Sequence, residues 1–437
     1  MGTSIRRIYR RVVIMKYTQK KLPNGLHVIS VPMKDNPTVT VLVLVETGSK
    51  YERDGERGLS HFLEHMCFKG TTTRKNTFTI SHELDAIGSQ YNAFTSHEYT
   101  GYYAKSDKKH IEKIFDVVSD IYLNPIFPEA EIEKEKGVIV EEINMYEDMP
   151  QRHVQDLFMS LLYGNQPAGL SITGTHDSVR KMTRKDFTEY HEKHYTPNKT
   201  TVIVSGAVTT EVVQALTKKY FGKLSPKKVQ DKQKTKDVQV KPQVLVKYKK
   251  TDQTHLVLGF RTFDVYDEKN YALDVMANVL SGGFSSRLFM KLREELGVAY
   301  YVRAAADGFT DHGYFEIRAG VTNTRVKEVI TEILKECKKI ATEGVTEVEL
   351  EKTKEYMIGN MKLELESSDA WAMYYGGQAV LKKDIETLEI VEKKIRQVTK
   401  GDILRIAKMI FKNKTLNLAL IGPFKKTQEF EDILVLS

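Results

Sequence analysis

Apolar and polar positions alternate first in short, strand-like units. Lys20 to Val31 reads as two strands flanking Pro23-Asn24-Gly25, a turn sequence, so a β-hairpin is expected there. Thr38 to Val45 is rich in β-branched residues and predicts a strand. From Gly58 the spacing of apolar residues changes to three and four, which predicts a helix running to Gly70, where glycine is a stop signal. Further α/β alternation leads to a strand at Thr201 to Val204. Ser225 to Gln243 then loses periodicity and becomes rich in Lys, Pro and Gln, the composition of a linker.

The pattern recurs beyond that linker. Phe127-Pro-Glu-Ala-Glu-Ile-Glu-Lys aligns with Val345-Thr-Glu-Val-Glu-Leu-Glu-Lys, and Thr183-Arg-Lys-Asp-Phe with Thr399-Lys-Gly-Asp-Ile. Asn198-Lys-Thr is echoed by Asn413-Lys-Thr. A repeat this long means a duplicated domain rather than a solenoid. The reading divides the chain into a basic extension (1–17), a first domain (18–225), a linker (226–243) and a second domain of the same fold (244–437).

Within the predicted helix, His61-Phe62-Leu63-Glu64-His65 carries chemistry. Two imidazoles at i and i+4 stand one helical turn apart and can share a metal ion, with a carboxylate beside them. This is H-x-x-E-H, the inverse of the H-E-x-x-H zinc-protease motif. On a helical wheel Leu59, Phe62, Leu63 and Met66 form one apolar stripe, and His61, Glu64 and His65 fall on the other side. Cys67 points away from both histidines and reads as a packed thiol. On the register of the repeat the three polar residues fall near Val275, Asn278 and Val279. The scaffold therefore does not require them.

Two imidazoles make a weak site, so a further ligand is expected from elsewhere. The helix predicted from Glu129 to Met145 offers several carboxylates. Glu135 and Glu142 lie two turns apart on one face, Glu141 about 100° off it. Their counterparts in the repeat are Thr353 and Asn360, so these acids too are confined to the first half. A solvated charge is the plain alternative for any one of them.

Composition narrows the classes. At 437 residues two domains are expected, and 41% hydrophobic with 28% charged residues is ordinary for a soluble globular protein. The net charge of +8 is spread among mixed acids and bases, which argues against a nucleic-acid stripe. Val39 to Val45, the longest largely apolar stretch, is too short to span a bilayer, so no membrane partner is expected. Two cysteines, Cys67 and Cys337, fit a reducing compartment. A cytoplasmic location is expected. The arginines at 6, 7, 10 and 11 leave an organelle matrix open as an alternative.

Gly58-Leu-Ser-His-Phe-Leu-Glu-His-Met-Cys-Phe-Lys-Gly-Thr71 resembles the metal-binding segment of the M16 metallopeptidases, the family of pitrilysin, insulysin and mitochondrial processing peptidase. The resemblance covers nearly the whole chain, and its length is similar to the short, processing-peptidase-like branch. It implies an α+β fold of two homologous α/β-roll domains, each a largely antiparallel sheet packed with helices, together forming half of a clamshell chamber. It implies a zinc endopeptidase acting on peptides or unfolded proteins, with His61, His65 and Glu142 as metal ligands, Glu64 as base and Glu135 as a supporting acid. Leu292-Arg-Glu-Glu-Leu-Gly-Val-Ala-Tyr300 resembles the segment that brings an arginine and a tyrosine to the site, here Arg293 and Tyr300. Asn92 and Ala93 match the edge strand that pairs with substrate backbone. A homodimer, or a heterodimer with a related chain, is expected. The rival expectation is a non-catalytic or partner-dependent subunit, since the family contains both.

Overall fold

The computed structural model describes residues 16–382 and 384–436. The expected basic extension lies outside the described residues except for Lys16 and Tyr17.

The first sheet has six strands: β1 (Thr18–Lys21), β2 (His27–Pro32), β3 (Thr38–Val45), β4 (Gln90–Thr95), β5 (Thr100–Asp107) and β6 (Thr200–Gly206). Their order is β1-β2-β6-β3-β5-β4, antiparallel except for β2 with β6. The second sheet comprises β7 (Gln243–Tyr248), β8 (Gln253–Thr262), β9 (Ala299–Gly308), β10 (Gly313–Thr322) and β11 (Leu416–Gly422). It repeats the arrangement in the order β7-β11-β8-β10-β9, again with one parallel pair, β7 with β11. The hairpin, the β-branched strand and the late strand of the first half stand where hydrophobic patterning puts them.

Both faces of the central strands are buried, which explains why β3 is an apolar run rather than an alternation. Val39, Val41, Val43 and Val45 enter the core that holds the first half's own helices, while Leu42 and Leu44 enter a second core on the opposite face. That opposite face is covered from the other half.

Six helices matter to the site and its setting: α1 (Leu59–Met66), α2 (Glu129–Asp148), α3 (Pro150–Tyr163), α4 (Asn270–Ser281), α5 (Glu347–Glu364) and α6 (Ser368–Leu381). Helices α2 and α3 recur as α5 and α6, whose first residues lie 218 positions later, the offset between Phe127 and Val345. The two halves exchange them. From the first half, α3 puts Val154, Phe158 and Leu162 onto Val257, Ala419 and Ile421 of the second sheet. From the second half, α6 puts Trp371, Ala372 and Tyr375 onto Leu42, Leu44 and Ile203 of the first. Each half thus completes its partner's core.

Polar contacts close the same junction. The fully buried Lys50 ammonium lies 2.8 Å from Glu98 and 2.5 Å from Asp311, in turns of opposite halves. Between Phe221 and Gln243 the chain forms no helix or strand, yet it is fastened: Thr235 N donates to Asp311 at 2.8 Å and Lys236 N to Gln166 at 2.6 Å.

One expectation is corrected. The helix predicted from Gly58 to Gly70 stops at Met66. Gly70, at φ +144°, instead redirects the chain, and its Cβ-less backbone lies where a Cβ would sit 2.8 Å from the Lys75 carbonyl oxygen. The reason is tertiary: Thr71 bridges to Pro125, and its hydroxyl donates to buried Asp120 at 2.5 Å.

Candidate metal centre

Helix α1 begins at Gly58, whose φ of +87° suits glycine, and a Cβ there would lie 2.6 Å from the Thr173 carbonyl oxygen. Glycine offers no capping side chain, so Glu52 supplies one, accepting from Gly58 N at 2.9 Å and Ser60 N at 2.8 Å. Leu59, Phe62, Leu63 and Met66 are buried in the first core, and this apolar face fixes the rotation of the helix. His61, Glu64 and His65 consequently face α2 and the end of β4.

On α2, Ile132, Ile139 and Ile143 anchor one side in the core. Glu135 and Glu142 follow them round to face α1. The Glu142 Oε2 atom lies 3.6 Å from Nε2 of His61 and 3.6 Å from Nε2 of His65. Among the described residues this is the group of three able to hold a metal ion, with donor atoms all within 4.8 Å of one another. The donor set of two imidazoles and one carboxylate suits zinc and leaves a coordination position for water. A hydrogen bond supports the fit: Nδ1 of His65 donates to Glu135 at 3.0 Å, leaving its Nε2 lone pair for a metal. Glu135 is held in turn by the Lys69 ammonium at 2.6 Å. The buried Nδ1 of His61 has no protein partner, and its Nε2 also points into the cluster.

Electrostatics sort the roles. Burial, with His65 and Arg152 nearby, pushes His61 down to about 4, so its imidazole is neutral at pH 7, as a ligand must be. For His65 burial pulls downward, but the hydrogen bond to Glu135 and the surrounding carboxylates outweigh it and raise its pKa. Burial works against the charged form of Glu135 as well; His65 and Lys69 overcome it and keep this acid ionised. Glu64 is raised by burial, partly countered by the Thr95 hydroxyl, which donates to it at 2.6 Å. A carboxylate so raised is suited to taking up and returning a proton.

Asn92 and Ala93 lie on β4, the edge of the first sheet, paired with Tyr103 and Tyr102 on one side only. The same strand ends at Thr95, in contact with Glu64. Arg293 and Tyr300 are brought together in the second half, where Arg293 Nη1 donates to the Tyr300 carbonyl oxygen at 2.7 Å. Among the described residues no hydrogen bond or ion pair joins either to His61, Glu64, His65 or Glu142. The Tyr300 side chain is exposed.

Thr95, Lys69 and Tyr146 are contacts that sequence reasoning missed. Tyr146 donates to Glu142 Oε1 at 2.7 Å, and its i+4 spacing on the same helix could have flagged it. Thr95 and Lys69 reach the site through tertiary packing and carry no comparable local signal.

The chain as a whole is similar to known proteins. Residues 27–176, which include all three converging donors and Glu64, match the family model described as Insulinase (Peptidase family M16). Residues 181–357 match the model described as Peptidase M16 inactive domain. A Bacillus subtilis protein described as an uncharacterized zinc protease is 35% identical over 415 residues, covering 94% of this chain and 98% of that protein. A second, from Mycobacterium leprae, is 34% identical over 411 residues, covering 93% and 92%. Among solved structures, a protease from Helicobacter pylori superposes with a TM-score of 0.86 at 25% identity, covering 94% of this chain and 100% of that one. A Pseudomonas fluorescens structure described as a peptidase M16 inactive domain has the same fold, with a TM-score of 0.86 at 17% identity and the same coverage.

Proposed function

The chain belongs to the M16 peptidase family, whose relatives here are described as zinc proteases, and from that premise we propose that it is a zinc endopeptidase of the inverted H-x-x-E-H type acting on unfolded peptides or small precursor proteins. The observation that carries this is the approach of two imidazole nitrogens and one carboxylate oxygen, from two separate helices, to within 4.8 Å of one another. His61, His65 and Glu142 would hold the ion, with Glu135 fixing the His65 ring. A bound zinc ion would acidify a water to a pKa of about 7 and polarise a carbonyl.

The protein's own residues do the rest. Glu64 takes a proton from the attacking water and returns it to the departing amine, and Thr95 holds the carboxylate in place between the two events. Substrate lies along the free edge of β4, where main-chain pairing beside Asn92 and Ala93 selects an extended backbone over any particular sequence. Arg293 and Tyr300 donate hydrogen bonds to the scissile carbonyl oxygen as charge develops on it.

The match of the second half to an inactive-domain model does not favour a non-catalytic reading of the whole, because every converging donor lies outside residues 181–357. Cleavage of a quenched-peptide library by the purified chain tests the proposal. Activity abolished by a chelator and restored by zinc is expected. Unchanged cleavage after chelation refutes the metal mechanism, and inactivity of the zinc-loaded chain rescued by a related partner would replace the single-chain enzyme with a subunit.

A further inference from the structure

We propose that Tyr146 is a positioning residue for Glu142 and that Arg152 holds Tyr146 in place, so that the half without ligands takes part in shaping the metal centre. The inference rests on the reading of His61, His65 and Glu142 as ligands.

The two oxygens of Glu142 are divided between neighbours. Oε1 accepts the Tyr146 hydroxyl at 2.7 Å, while Oε2 faces both imidazoles at 3.6 Å. Without a partner for Oε1, the carboxylate could present either oxygen, or both, to the imidazoles. The phenol removes that freedom, occupies one oxygen and presents the other alone, which makes the carboxylate a one-oxygen donor. Partners of this kind raise metal affinity by orienting the ligand before the ion arrives.

Tyr146 is itself fixed from outside α2. The Arg152 guanidinium carbon lies 3.9 Å from the centroid of its ring, a stacked cation–π arrangement. Among the described residues Arg152 makes no ion pair within 4.0 Å, and the ring is its close side-chain contact. Arg152 stands in the first turn of α3, the helix docked on the second sheet through Val154 and Phe158. The position of α3 on that sheet therefore sets where the guanidinium lies, and through it the phenol and the carboxylate.

The duplication provides a control. On the shift of 218 the counterparts of Tyr146 and Arg152 are Glu364, the last residue of α5, and Ala370 in α6. The same two-helix corner forms there without a tyrosine, an arginine or a ligand. The corner does not need the pair in order to fold.

The test is zinc affinity of the full-length chain, measured by chelator competition, with the melting temperature of the metal-free protein measured alongside. Tyr146→Phe should weaken zinc binding about 10- to 100-fold, the range for partners of metal ligands, and leave the metal-free melting temperature unchanged. Arg152→Ala should weaken it less. The double variant should match Tyr146→Phe alone, since Arg152 acts through the ring. Wild-type zinc affinity in Tyr146→Phe overturns the proposal, and losses that multiply in the double variant overturn the part given to Arg152. Glu142→Ala separates this from the underlying reading: if it loses zinc while Tyr146→Phe does not, the positioning role alone fails, and if neither loses zinc the metal centre itself is refuted.

Discussion

Helices α1 and α4 occupy equivalent places in the two halves, and so do α2 and α5, yet the grooves between them are built of different material. In the second half Val275 and Val279 are buried in one continuous apolar core with Leu350 and Ile358 of α5. In the first half the matching positions carry His61 and His65, facing Glu135 and Glu142. Apart from β1, which has no counterpart in the second sheet, the order of strands is the same in both, and so is the exchange of α3 and α6. Nothing in the fold demands polar residues between those helices, and the second half shows the arrangement the scaffold adopts when only packing is at stake. The residue matching Glu135 is Thr353, buried with its hydroxyl unpartnered, a small cost that the apolar groove tolerates.

The contrast can be broken from either side. The largest effect is expected at the base: Glu64→Gln should lower kcat by about 100- to 10,000-fold while zinc stoichiometry by elemental analysis stays at wild type. Cleavage near the wild-type rate would remove Glu64 from that role. Next, importing the polar motif into the other half should fail. Val279→His buries an imidazole with no partner and should cost about 2–4 kcal/mol of unfolding free energy without creating a zinc site. A stable variant that bound a second zinc would show that the second groove is more open than its packing implies.

A smaller effect is expected behind the ligands. Glu135→Gln weakens the hold on Nδ1 of His65 and should reduce zinc affinity about 10- to 100-fold, read by chelator competition. The subtlest test concerns the cap of α1. Burial lifts the Glu52 carboxyl to about 8, against hydrogen bonds from Ser60 and Gly58 that favour its charged form. Because its pKa is higher in the folded chain, folding takes up a proton between about 4.5 and 8, and this group's contribution to stability falls as pH rises through that window. Glu52→Gln keeps an acceptor for the helix and removes the titration. Its melting temperature should fall less than that of the wild type between pH 5 and pH 8, and identical slopes would show that Glu52 does not titrate there.

The metal helix was readable because all its information is local. An i, i+4 histidine pair opposite an apolar stripe needs only helical geometry, and Leu59, Phe62, Leu63 and Met66 do lie in the core. Glu142 was half readable: its face on α2 followed from periodicity, but periodicity left it level with Glu135, and only family resemblance separated them. Thr95 on Glu64 and Lys69 on Glu135 were beyond reach, since each depends on a contact made across the fold. The helix ends at Met66 rather than at Gly70 for the same reason: glycine is a local stop signal, but the pairing of Thr71 with Pro125 decides the stop.

By itself, the amino-acid sequence determined that the chain is duplicated, that each half mixes sheet and helix, and that the first half carries a metal-binding motif the second lacks. Those properties reside in periodicity and residue type, which short stretches of chain express on their own. Only the tertiary structure decided that the halves exchange α3 and α6, that buried Lys50 joins their turns, and which acid meets the two imidazoles. Such outcomes depend on residues tens to hundreds of positions apart burying apolar surface together, and no local pattern encodes which partner a buried face will find.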